Sequence, residues 1–203
     1  MTDQQRAKII LASGSAIRAQ MLRNAGIIFT TALPRVDEEA IRASLLAEAA
    51  GPHDIADHLA EVKARKTSDR EPDALVIGAD QLLEMDGQIF AKPEAPQQAI
   101  DQLAALSGKT HKLFSAAVVY ENGQPLWRHV GTVRLTMHDT SVAYRADYVA
   151  RNWDTIRHSV GCYLIEAEGI RLFSRIDGDF FNIQGLPLIE LLTWLRIRGE
   201  IAS

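Results

Sequence analysis

Residues 74–93 read ALVIGADQLLEMDGQIFAKP, and this stretch decides the fold class. Ala74-Leu75-Val76-Ile77 is a continuous apolar run with two β-branched residues, the pattern of a strand covered on both faces. Strands of that kind belong to open α/β sheets, whose ligands bind outside the carboxyl ends of the strands. Gly78-Ala79-Asp80-Gln81 follows at once, so the strand is expected to stop there and set Asp80 at the mouth of a crevice. Residues 82–84 and 88–90 flank Met85-Asp86-Gly87, and Asp-Gly between apolar runs predicts a tight hairpin. That hairpin is expected to carry Lys92 back toward Asp80. A carboxylate and an ammonium brought together in this way suit metal-assisted chemistry on a phosphate. A satisfied turn aspartate beside a surface lysine has the same local signature.

Upstream, Ile9-Ile10-Leu11-Ala12 predicts a short strand, Ser13-Gly14-Ser15 breaks it, and residues 18–23 favour helix, with Gly26 as a left-handed cap. Strand, small hydroxyl-bearing loop and helix N-terminus together make an anion site, to which Arg18 can add a bidentate contact. Plain helix capping by Ser13 or Ser15 with a solvated Arg18 fits equally well. Residues 29–33 predict a second strand. The acids Asp37-Glu38-Glu39 suit either the positive end of a helix or a magnesium ion. After the break at Gly51-Pro52, Asp54 is expected to open a helix with Ile55, Leu59 and Val62 inward. Lys63 stands about 80° round from Ile55, so it borders the buried stripe, reaching into a cleft or snorkelling to solvent.

Downstream, Pro96 begins a helix with Ile100, Leu103 and Leu106 inward, ended by Ser107-Gly108. Gly108-Lys109-Thr110 imitates the end of a P-loop, but it follows a helix and Leu103 stands where the first glycine belongs. Residues 113–120 and 130–137 predict strands, with Asn122-Gly123 as a hairpin turn, so pairing in this half is more antiparallel. Thr140 or Ser141 is expected to cap a helix through Ala150. Further strands are expected at 161–165 and 170–176, then a turn at Asp177-Gly178-Asp179. A last helix carries Leu188, Leu191, Leu192 and Leu195.

The chain has 203 residues, 47% of them apolar and 24% charged, which describes a folded globular protein. One domain of two lobes, spanning 1–203, is the expected organisation. A net charge of −4 argues against a protein that coats nucleic acid. Cys162 is the single cysteine, so no intrachain disulfide forms, and it is read as a small hydrophobe in a reducing compartment. Residues 1–8 are polar, and no apolar run approaches the ~20 residues of a membrane helix, so a cytoplasmic location is expected. The six histidines show no HxxxH or HxH spacing, and neither GxSxG nor GxGxxG occurs.

In their order along the chain, LASGSAIRAQML (11–22), VDE (36–38), LAEVKA (59–64), IGADQLLEMDGQIFAKP (77–93), LSGKTH (106–111) and IDGDFFNIQGLPL (176–188) resemble the Maf family of nucleoside triphosphate pyrophosphatases. The resemblance implies a mixed α/β fold with helices flanking a central sheet and an elongated cleft between two lobes, similar to inosine triphosphatases and often homodimeric. It implies hydrolysis of the α–β anhydride of a nucleoside triphosphate to monophosphate and pyrophosphate with magnesium or manganese. Carried over by motif, Asp80 is the base, Ser13, Arg18, Lys63 and Lys92 hold the triphosphate, and Glu38 binds metal. A triphosphate with one magnesium still carries about two negative charges, which cations and N–H groups must hold. Two positions depart from the usual SPRR loop: Ala16 replaces its proline and Ile17 takes the variable place. Gln81 and Glu166 match relatives that act on 7-methyl-GTP, where the dTTP and UTP type has Thr and Gln. A carboxylate suits the N–H donors and positive charge of a methylated guanine. The resemblance leaves two alternatives: a dTTP or UTP pyrophosphatase, or a nucleotide-binding regulator of septum formation without turnover.

Overall fold

The computed structural model describes residues 7–202, so most of the polar leader read at residues 1–8 lies outside the described residues. In chain order the elements are β1 (Lys8–Ala12), α1 (Ala16–Asn24), β2 (Thr30–Ala32), α2 (Glu38–Ala47), α3 (Pro52–Ser68), β3 (Ala74–Met85), β4 (Gln88–Phe90), α4 (Pro96–Leu106), β5 (Thr110–Glu121), β6 (Gln124–Met137), α5 (Val142–Ile156), β7 (Phe173–Asp177), α6 (Phe180–Ile183) and α7 (Leu188–Arg198). Two 3₁₀ turns, Val160–Cys162 and Glu168–Leu172, lie between α5 and β7. The strands form one seven-stranded mixed sheet in the order β2-β1-β3-β5-β6-β7, with β4 paired to β3, and the fold class is the expected α/β. The chain divides into two compact units. One runs to Asp80 and takes in Ser115–Gly131 and the chain from Gly185; the other comprises Gln81–Phe114 and Thr132–Gln184.

In the first unit, β1 pairs in parallel with both β2 and β3, in register from Lys8 against Ala74 to Ala12 against Gly78. The apolar runs 9–12 and 74–77 are buried throughout, which is why they read as near-continuous hydrophobic segments. Helix α3 lays Ile55, Ala56, Leu59, Ala60 and Ala64 into this core. Gly78 lets strand and helix meet at their backbones. A Cβ at that position would lie 2.2 Å from the Ala60 carbonyl oxygen and 2.6 Å from the Ala64 nitrogen.

In the second unit, β3 and β4 form the expected hairpin, with Met85 opposite Gln88. Asp86 and Gly87 have φ of 53° and 81°, the two left-handed residues that a two-residue turn matching strand twist demands. The core gathers Leu83, Leu103, Leu113, Val133, Leu135, Tyr148, Ile156, Tyr163 and Phe173. Within it His111, 1% exposed, places Nε2 2.8 Å from the Tyr163 hydroxyl, while its buried Nδ1 has no partner among the described residues. Burial lowers its pKa from 6.5 to about 4.

Four expectations are corrected. Strand β3 does not stop before Gly78 but runs unbroken to Met85, so Asp80 lies within it; the apolar residues beyond the aspartate continue the same buried strand. Residues 161–165 form no strand, because Gly161 and Cys162, with φ of 78° and 61°, turn the chain left-handed. The strand expected from 170 starts at Phe173, after a 3₁₀ turn. Helix α5 continues six residues past Ala150, and α6 interposes a short helix capped by Asp179, whose carboxylate accepts from Asn182 N. Boundaries also move: α3 begins at Pro52 and β6 at Gln124. Among the described residues, no helix is long and apolar enough to cross a membrane.

Two stability outcomes follow. Gly78→Ala drives a methyl group into the α3 backbone and should cost roughly 3 kcal/mol or more, read as a lowered denaturant midpoint. For His111 the unfolded chain binds the extra proton between its ordinary 6.5 and the folded value of about 4. Stability therefore falls as pH drops through that window, by up to about 3 kcal/mol. In His111→Gln, the pH dependence of the denaturation free energy should lose about one proton of slope there.

Candidate active site

The site is built at the end of the β1–β3 pairing. β1 stops at Ala12 and the chain turns through Ser13-Gly14-Ser15 into α1. Both serines act locally: Ser15 caps α1, its Oγ accepting from Arg18 N, and buried Ser13 Oγ accepts from Ser15 N at 3.2 Å. Ala16, in the place of the family's proline, is the exposed first residue of α1, and Ile17 is half-buried beside it. Gly26 closes the helix with φ of 73°, donating to the Arg23 carbonyl.

Arg18 leaves the first turn of α1 and points inward. Its Nη1 donates to Ser13 Oγ at 3.2 Å and to the Ala79 carbonyl at 3.0 Å, and its Nε donates to the Gly185 carbonyl at 2.7 Å. Desolvation pushes the guanidinium below its ordinary pKa, while the charges of Asp80 and Glu38 oppose that shift. An arginine starts so high that it stays protonated throughout.

Lys63 is the centre of the arrangement. Only 5% exposed, it donates to Asp80 Oδ1 at 2.6 Å and meets Glu38 Oε1 at 2.9 Å. The angular position beside the Ile55 stripe thus resolves toward burial, and Val62 is the residue left half-exposed. Ala60 and Ala64, which bracket Lys63 on α3, are the residues that touch Gly78, two positions before Asp80. The close helix–strand approach is what brings ammonium and carboxylate together. Glu38 opens α2 immediately after Asp37, which caps that helix by accepting from Ala40 N. Asp80 is itself 5% exposed, and its Oδ2 is buried without a partner among the described residues. A buried carboxylate oxygen left unsatisfied is costly, so it marks a place where a water, a proton or a ligand is received.

The remaining expected residues belong to the second unit. Lys92 follows β4 and is exposed, lining a cavity of about 380 Å³ with Ala91, Glu94, Gln98, Asp101 and Gln102. Gln81 donates through Nε2 to the carbonyls of Asn182 and Ile183, each at 3.0 Å. Glu166 is exposed, between the two 3₁₀ turns. Cys162 is buried and its thiol is pushed up to about 12 by desolvation, which leaves no thiolate to act as a nucleophile. Of the residues expected together, the first unit therefore assembles Ser13, Arg18, Glu38, Lys63 and Asp80. Sequence reasoning missed Gly78 and Gly185. A glycine two residues before the acid was the available signal for the first, whereas the second answers to an arginine 167 positions away.

Among the described residues no group of three or more His, Cys, Asp or Glu side chains is placed to hold a metal. Glu38 nevertheless offers a hard oxygen: its side chain is 43% exposed, and among the described residues Lys63 engages its Oε1 alone. Magnesium ordinarily takes one or two carboxylates and fills its shell with substrate phosphates and water, so this donor set fits such an ion.

Residues 8–197 match the family model described as Maf-like protein. The chain is 60% identical over 193 residues to a nucleoside triphosphate pyrophosphatase of Ruegeria pomeroyi, covering 95% of this chain and 97% of that one. It is 58% identical to a protein of the same description from Roseobacter denitrificans, with the same coverage. A 7-methyl-GTP pyrophosphatase of Brucella abortus is 47% identical over 189 residues, 93% of this chain and 95% of the relative. From the β1 strand to the last helix, this chain belongs to the Maf-like protein family.

Proposed function

We propose that the chain hydrolyses the α–β anhydride of nucleoside triphosphates, with 7-methyl-GTP as its preferred substrate, and that Asp80 is the base. The observation that carries this reading is the asymmetry of the Asp80 carboxylate: Oδ1 is tied to Lys63 at 2.6 Å, and Oδ2 is buried and unmet among the described residues. Lysine holds one oxygen still while the other is available to take a proton from water. The water oxygen bonds to the α phosphorus as the bond to the bridging oxygen breaks, and pyrophosphate leaves. Ser13, Lys63 and Lys92 are the proposed partners of the phosphate oxygens, in surroundings where preorganised cations act more strongly than in bulk water. When bound, a magnesium or manganese ion held by Glu38 supplies further positive charge for those oxygens.

The preference for a methylated guanine rests on Gln81 and Glu166, which match the 7-methyl-GTP type, and on relatives described as 7-methyl-GTP pyrophosphatases at 47% identity. A carboxylate at 166 offers acceptors to the base's N–H groups and offsets its charge. The more similar relatives carry the broader description of nucleoside triphosphate pyrophosphatase, which keeps dTTP and UTP as the competing substrates.

Pyrophosphate release from a panel of triphosphates with magnesium or manganese tests the reaction. Asp80→Asn should lower kcat by ~10²–10⁴ and leave KM within a few-fold, since the amide keeps an acceptor for Lys63 but is a poor base. Undiminished turnover in a folded Asp80→Asn variant removes the base assignment, and nucleotide-induced stabilisation without product favours the regulator. In side-by-side kinetics, kcat/KM for 7-methyl-GTP should exceed that for dTTP and UTP by about tenfold or more, as befits a ~1.4 kcal/mol contact. Glu166→Gln should narrow that gap; a wild-type enzyme faster on dTTP or UTP refutes the preference.

A further inference from the structure

Arg18 turns the Nε and Nη1 donors of its guanidinium toward the protein itself. Nε donates to Gly185 at 2.7 Å, and Nη1 donates to Ala79 at 3.0 Å and to Ser13 Oγ at 3.2 Å. Ala79 is the residue before Asp80. Pairing between β1 and β3 ends with Ala12 against Gly78, so β1 has already turned away when β3 reaches Ala79. The guanidinium supplies the Ala79 carbonyl with a donor at the point where the neighbouring strand no longer can. Gly185 is fitted to the same group: its φ is +96°, and a Cβ there would lie 3.2 Å from both Nε and Nη2. Ser15, by capping α1 through Arg18 N, fixes the arginine's own backbone.

We propose that Arg18 is a positioning residue that holds the main chain carrying Asp80, with the Gly185 carbonyl as its second anchor. This rests on the reading of Asp80 as the base. A planar fork of donors holds two carbonyls at a fixed angle, which a lysine's single ammonium cannot do. Displacing a catalytic group by about 1 Å costs on the order of 10²-fold in rate, so the loss belongs in kcat. A phosphate ligand removed from the site would instead weaken binding of both triphosphate and pyrophosphate.

The test compares Arg18→Lys, which keeps the charge and loses the fork, with Gly185→Ala, which keeps the arginine and crowds it. For each, kcat, KM for the best triphosphate of the panel and the inhibition constant of pyrophosphate are measured, with folding checked by circular dichroism and thermal melting. The expected result is a fall in kcat of roughly ten- to a hundredfold in both variants. KM and the pyrophosphate constant should move less than about threefold. A tenfold or greater rise in KM and in the pyrophosphate constant, with kcat held, makes Arg18 a phosphate ligand and overturns the proposal. If Arg18→Lys does not fold, Gly185→Ala decides alone, and an unchanged kcat there refutes the role. Asp80→Asn, assayed in parallel, separates the two readings. An inactive Asp80→Asn beside a fully active Arg18→Lys sinks only the positioning role, whereas a fully active Asp80→Asn sinks the base assignment on which that role depends.

Discussion

A lysine ammonium cannot be taken out of water without partners, and Lys63 is almost wholly buried. Its burial is tolerated because Asp80 and Glu38 both reach it, at 2.6 and 2.9 Å. The dependence runs both ways, since breaking such a pair by removing one partner leaves a buried charge uncompensated and typically costs 3–5 kcal/mol. Much of the first unit answers to this requirement. Gly78 gives up its side chain so that α3 can lie on β3. Asp37 caps α2 so that the helix begins at Glu38, and the acids of that first turn also face the positive end of the helix dipole. The ion pair is thus a structural obligation, and the same obligation holds one oxygen of a carboxylate in place.

The site also balances its charges closely. Asp80 and Glu38 are matched by Lys63 and Arg18, each arriving from a different helix or strand, in a chain whose net charge is −4. Attraction for an anionic ligand therefore has to come from where the cations are placed and not from bulk charge. The two cations have different tasks in this arrangement. Lysine is a compact point charge that serves two carboxylates at once, while the arginine's spread donors grip carbonyl oxygens.

How much of this was legible in the sequence depended on how local the cause was. The apolar runs at 9–12 and 74–77, the Asp86-Gly87 turn and the capping serines act over a few residues, and each produced the element it predicted. No strand break falls before Asp80: glycine and an acid signal a turn locally, whereas the buried residues beyond them keep β3 extended. Residues 161–165 failed for the opposite reason: they look apolar and extended, yet two consecutive left-handed residues fold them back. Lys63 lay at the edge of its helix's buried stripe, and periodicity alone leaves such a position undecided until its partners at 38 and 80 are in place. The meeting of Arg18 with Gly185 left no trace in sequence spacing at all.

That last contact also bears on how the protein is made. Lys63 and Asp80 are only 17 positions apart, and both are present once residue 80 has been added. Gly185 is 167 positions from Arg18. A nascent chain still emerging from the ribosome therefore holds its lysine and carboxylate long before the carbonyl that Arg18 Nε grips, and the anchoring of the arginine waits for more than a hundred further residues.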